Sequence, residues 1–110
     1  MVGWLVCLEG PDHGRDYPLR AGTNNVGRLP SMDVCIASDA AVSREKHCVV
    51  SFDAARETFT LAPSEGSHLL YLNGESIRSP RHLTRDDVID VGRTKLVFIP
   101  FCDGKYRWSA

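Results

Sequence analysis

Turn-forming residues punctuate this chain so often that no amphipathic helix of useful length fits between them. Pro11 to Gly14, Ala21 to Asn25, Asp53 to Arg56, Pro63 to Ser67, Asn73-Gly74 and Ser79-Pro80 each read as a turn or break. Between them lie short runs of β-forming residues. The strongest strand spans Lys46 to Phe52, where Cys48, Val50 and Phe52 share one face at period two and His47, Val49 and Ser51 the other. Trp4 to Leu8, Arg15 to Leu19, a strand ending at Val26 to Arg28, Asp33 to Ile36, Thr58 to Leu61, Leu69 to Leu72, Val88 to Val91 and Lys95 to Phe101 complete the set. Asn73-Gly74 suits a two-residue hairpin turn, which needs positive φ at both central positions. Ser38 to Ser43 reads as a loop. Many short strands at this spacing predict an all-β protein, a sandwich or barrel.

With 110 residues the chain fits a single domain, 1–110, with its core at about 3–100 and a polar tail at 101–110. Tyr106 or Trp108 of that tail is expected to pack back on the domain. A composition of 43% hydrophobic and 25% charged residues is that of a globular chain, not a disordered one. Thirteen Lys+Arg against 14 Asp+Glu give a net charge of -1, which argues against nucleic acid or a membrane surface as partner. No apolar run approaches a membrane span and no signal peptide is evident, so a cytoplasmic location is expected. Cys7, Cys35, Cys48 and Cys102 form no CxxC pair and read as buried thiols. The four histidines are equally scattered, so neither a metal nor another cofactor is expected. Ser43 to Lys46 matches S-x-x-K, but it precedes a strand and lacks the accompanying motifs. Ser43 and His47 have no orienting acid, and no phosphate loop occurs, so an enzyme is not predicted. Asp86, Asp87 and Asp90 read as solvated loop and strand-edge acids.

Three features then occur in a set order. Val26-Gly27-Arg28 closes a strand and Asp33-Val34 follows. Val42 to His47, reading V-S-R-E-K-H, stands at a loop-to-strand boundary. Tyr71-Leu72-Asn73-Gly74 precedes Leu83 to Gly92, reading L-T-R-D-D-V-I-D-V-G, and Leu96 to Phe98. Together they resemble the forkhead-associated (FHA) domain family, over about Trp4 to Pro100. The resemblance implies an antiparallel β-sandwich of two packed sheets whose loops, at one end, bind phosphothreonine in a partner protein. Arg28, Ser43 and Arg44 match the phosphate-gripping positions, with Lys46 and His68 as secondary contacts. Gly27, His47, Asn73 and Gly74 match positions that support the site.

The chemistry of these residues suits that role. A phosphothreonine carries about -1.5 to -2 charges and three acceptor oxygens. An arginine fork answers it with two bonds at once, and a serine hydroxyl adds a compact donor. Alone, each residue has a plainer reading. Arg28 would be a solvated arginine or one paired with Asp33, Ser43 a turn residue, and Arg44 and Lys46 part of a mixed-charge loop around Glu45.

The chain departs from the family pattern twice. His47 stands four residues after Ser43, where the family has three, since both Glu45 and Lys46 intervene, so either one residue is inserted or Arg44 takes the place of the serine; the intact Ser-Arg pair favours the insertion. His68-Leu69-Leu70 stands where the family has Asn-Gly-Thr, so His68 replaces the asparagine or that half of the peptide site is absent. The reading is therefore a non-catalytic phosphothreonine-binding module linked to Ser/Thr kinase signalling. The alternative is a phosphate-independent interaction or assembly module on the same sandwich, with the oligomeric state open and a monomer among the options.

Overall fold

A computed structural model of the protein describes residues 1–64 and 70–101. Eleven strands follow in chain order: β1 (Gly3–Glu9), β2 (Asp16–Leu19), β3 (Gly22–Gly27), β4 (Val34–Cys35), β5 (Cys48–Asp53), β6 (Thr58–Pro63), β7 (Leu70–Leu72), β8 (Glu75–Ser76), β9 (Arg81–Leu83), β10 (Val88–Val91) and β11 (Thr94–Pro100). No helix occurs among the described residues. They form a six-stranded sheet in the order β2-β1-β11-β10-β7-β8 and a five-stranded sheet in the order β4-β3-β5-β6-β9. All pairings are antiparallel except β3 with β4, so the second sheet is mixed where a wholly antiparallel sandwich was expected. The short run from Arg28 to Asp33 lets β4 return alongside β3 in the same direction.

Alternation along the strands explains the two layers. Leu5, Cys7, Ile89, Val91, Leu96 and Phe98 of the first sheet and Val26, Cys48, Val50, Phe52, Phe59 and Leu61 of the second are buried, and the residues that lie between them along a strand less so. Three rings bind the layers together. Phe59 lies 4.6 Å from Phe52 and 4.7 Å from Phe98 across the interface, the latter edge-on. Such pairs add about 0.5–1.5 kcal/mol beyond their buried area. His47 is 2% exposed and precedes β5, so its ring joins the interior while Val49 and Ser51 stay half-buried. The Cys7 and Cys48 thiols are buried and Cys35 half-buried, all three unpaired; Cys102, Tyr106 and Trp108 lie outside the described residues.

Three segments differ from their sequence reading. Ala21 to Asn25 reads as a turn, yet Gly22 to Val26 pairs with β5. Asn24 makes this possible: its buried amide donates to the carbonyls of Arg20 and Val50 and accepts the Arg20 N–H. A turn-forming side chain thus satisfies the backbone around it instead of reversing the chain. The strands β8 and β9 were not legible at all, being two or three residues long with only Leu83 buried.

Candidate functional site

Strand registers decide which loops meet. Val26 pairs with Cys48 and Cys48 with Pro63, so the segments after β3, before β5 and after β6 lie at one end of their sheet. Val91 pairs with Leu70 and with Thr94, which brings the turn at Gly92-Arg93 to the corresponding end of the other sheet. The two ends touch: a Cβ on Gly92 would stand 2.9 Å from the Ala41 carbonyl carbon and 3.0 Å from the Val42 nitrogen, and the residue's φ of +60 also favours glycine. Arg28, Ser43, Arg44, Lys46 and His47 all belong to this loop cluster. His68 falls outside the described residues.

Arg28 is woven into the loop that carries the other cations. Its backbone N–H reaches the carbonyls of Ser43 (3.0 Å) and Arg44 (3.1 Å), and the Leu29 N–H also reaches Arg44 (3.0 Å). The side chain donates from Nε to the Val42 carbonyl at 2.8 Å. With Nε so fixed, the terminal nitrogens have no protein partner among the described residues. The pairing with Asp33 does not form. Asp33 instead accepts from the Arg20 guanidinium and the Asn25 N–H, which holds the acid away from Arg28.

Gly27 serves close approach. A Cβ there would meet Met32 Cγ at 2.9 Å and the Arg44 carbonyl oxygen at 3.0 Å, so glycine lets the two loops lie this near without either giving way. Met32 also receives the Lys46 N–H on its sulfur at 3.3 Å. Lys46 has φ +40, in the left-handed region. Both Arg44 and Lys46 are exposed and Ser43 is half-buried. His47 accepts the Ser43 N–H on Nδ1 at 2.9 Å, which places the ring proton on Nε2, and its own N–H donates to Val26 at 2.6 Å. It therefore braces the serine's backbone from inside the protein.

Asn73 and Gly74 do form the expected turn, with φ +51 and +82. The turn closes the opposite end of β7 from Leu70, however, away from the cations. Asn73 donates to Asp87 (3.0 Å) and accepts the Val88 N–H (2.9 Å). What it supports is β7 and β10, not the loop cluster. Asp87 also accepts the Thr84 N–H at 2.8 Å, so it is a turn-closing acid and not merely a solvated one.

Asp39 was not singled out by its sequence. It is 2% exposed and accepts the N–H groups of Ala41 (2.9 Å) and Arg93 (2.8 Å) and the Thr94 hydroxyl (2.7 Å). Burial pulls its pKa upward, but the bonds from Thr94, Ala41 and Arg93 outweigh it and hold the carboxyl below its ordinary value. Two of its partners lie more than fifty positions away, so no local pattern announces them. Arg93 is exposed and adds a further cation at this end. Among the described residues no group of His, Cys, Asp or Glu is arranged to hold a metal. A hollow of about 270 Å³ lined by Met1, Pro18, Leu19, Arg20, Asn24 and Asp33 includes none of the predicted site residues.

The family profile described as "Inner membrane component of T3SS, cytoplasmic domain" matches residues 6–101. Among solved structures, the chain is similar to an FHA domain from a structural and functional analysis of phosphothreonine-dependent FHA domain interactions, with 26% identity, 89% of this chain and 95% of that one covered, and a TM-score of 0.76. It is similar to EmbR of Mycobacterium tuberculosis, solved with a low-affinity phosphopeptide, with 29% identity over 88% of this chain and 24% of that one and a TM-score of 0.73. The cytoplasmic domain of the T3SS sorting platform protein PscD from P. aeruginosa shares the fold at 20% identity, with 97% and 84% covered and a TM-score of 0.73. No curated protein matches the sequence. The fold is thus that of FHA interaction domains, and these matches indicate no enzymatic family.

Proposed function

Because this chain belongs to the family described as the inner membrane component of T3SS, cytoplasmic domain, an FHA fold, we propose that it is a non-catalytic, cytoplasmic recognition module. Its ligand is a phosphothreonine-containing segment of a partner protein. Arg28 carries the proposal: Nε is pinned to Val42, while the terminal nitrogens have no acidic partner among the described residues. A guanidinium held in place through Nε suits an incoming dianion, because little ordering is left to lose on binding. Ser43 and Arg44, joined to Arg28 through its backbone N–H, supply a hydroxyl and a second cation, and Lys46 stands beside them. His68 is proposed as a contact to the peptide backbone.

Titration with matched peptides tests this reading. A phosphothreonine peptide is expected to bind, its phosphoserine and unphosphorylated versions more weakly. Each lost charge-assisted bond is worth about 1.5–3 kcal/mol, so Arg28→Ala should weaken binding roughly 10- to 100-fold. Equal affinity for the phosphorylated and plain peptides would overturn the reading.

A second reading has its own support. The matched family is that of a secretion-system component, and the similar PscD is a sorting platform protein, which suit a phosphate-independent assembly role. Partner capture that survives phosphatase treatment and Arg28→Ala would favour it.

A further inference from the structure

The structure joins Arg28 to the far sheet by an unbroken path. Thr94 Oγ1 and the Arg93 N–H, both at the β10–β11 turn, donate to Oδ2 of Asp39. Oδ1 takes the Ala41 N–H, and the Asp39 carbonyl takes the Val42 N–H at 3.1 Å. These bonds close a tight turn over residues 39–42. The Val42 carbonyl at its exit is the group that receives Arg28 Nε. Gly92 lets the hairpin come this near, since a Cβ would stand 3.1 Å from Asp39 Oδ2 as well as against Ala41.

We propose that Asp39 is a positioning residue for Arg28: it fixes the Val42 carbonyl that aims the guanidinium, and it takes its own place from Arg93 and Thr94. The proposal rests on the reading of Arg28 as the phosphate contact. Asp39 is 2% exposed and its carboxylate is taken up by Ala41, Arg93 and Thr94. Its effect passes through Val42. Asparagine cannot replace it, because an amide offers one acceptor and would turn its own donor toward either Ala41 or the Arg93–Thr94 pair.

The test uses the whole chain and reads Arg28 directly. In the free protein, the exchange rate of the Arg28 Nε–H is measured by NMR beside the Val50 and Leu61 amides of the core. Asp39→Asn is expected to speed Nε–H exchange roughly tenfold or more while the core amides keep their rates, as weakening of a part-buried bond of this kind implies. Thr94→Val, a milder change of the same volume, should do so to a lesser degree, and Thr94→Ser should restore the wild-type rate. An unchanged Nε–H rate in both Asp39→Asn and Thr94→Val, or acceleration only in step with the core, would overturn the proposal. Phosphothreonine-peptide affinity is then read on the folded variants. A roughly tenfold loss in Asp39→Asn, with wild-type affinity kept in Thr94→Ser, supports the functional half, and full affinity in Asp39→Asn overturns it. If the wild-type chain binds no phosphopeptide, the recognition reading has failed, and the exchange rates alone still decide whether Asp39 positions Arg28.

Discussion

Arg28 and Gly27 act as a pair. The glycine lets the Arg44 carbonyl come close, and that carbonyl accepts the backbone N–H groups of Arg28 and Leu29. Gly27→Ala should therefore cost about 1–3 kcal/mol, because the new Cβ faces backbone at 3.0 Å as well as Met32. Chemical denaturation checks the loss, and weakened phosphopeptide binding should accompany it. The Gly-Arg pair was legible in the sequence; its reason was not, because the groups it approaches come from Met32 and Arg44. Asp33 shows the opposite limit. Being near Arg28 in the chain it is the obvious ion-pair partner, yet it pairs with Arg20, thirteen residues earlier.

Among the elements, the two turns at opposite ends of β10 make contrasting predictions. Asn73→Ala removes a bond to Asp87 and another from Val88, and strains a position at φ +51. It should cost about 1–3 kcal/mol in thermal unfolding yet leave phosphopeptide affinity within about twofold, since the turn lies away from the cations. Asp39 makes the second prediction. Its carboxyl is held below its ordinary value of 3.8, so its contribution is complete above the unfolded carboxylate pKa and fades as pH falls through the lower, folded one. Amides at 39–47 should lose protection below about pH 4, checked by hydrogen exchange across pH, and Asp39→Asn should remove that dependence. The Asn73-Gly74 turn was legible because its conformational demand is local. Asp39 was not, because a buried carboxylate is explained only by donors that folding brings from the other sheet.

For the whole molecule, stability rests on two sheets closing over one apolar layer. Phe98→Ala would remove the ring that meets Phe59 across the interface and should cost about 3–5 kcal/mol in denaturant unfolding. Alkali should loosen the same interior. Burial, with the nearby Asp12 charge adding to it, pushes the Tyr17 phenol up to about 12, and burial alone does the same to the Cys48 thiol. Both groups are neutral in the folded protein. Their stabilising contribution is complete below the unfolded values, about 9 for the thiol and 10 for the phenol, and is lost as pH rises toward 12. The melting temperature should fall between about pH 9 and 12, and Tyr17→Phe should lessen the fall. Alternation at period two and frequent turns determined, within the sequence itself, that the chain is all-β and which residues face inward, because both are demands of the local backbone. The ordered motifs marked the residues of the candidate site. Only the tertiary structure decided that β4 runs parallel to β3, that Asn73 and the cations stand at opposite ends, and that a hairpin more than fifty residues further along the chain holds Asp39. Those outcomes depend on register between strands distant in sequence, which is fixed when two apolar faces close on each other.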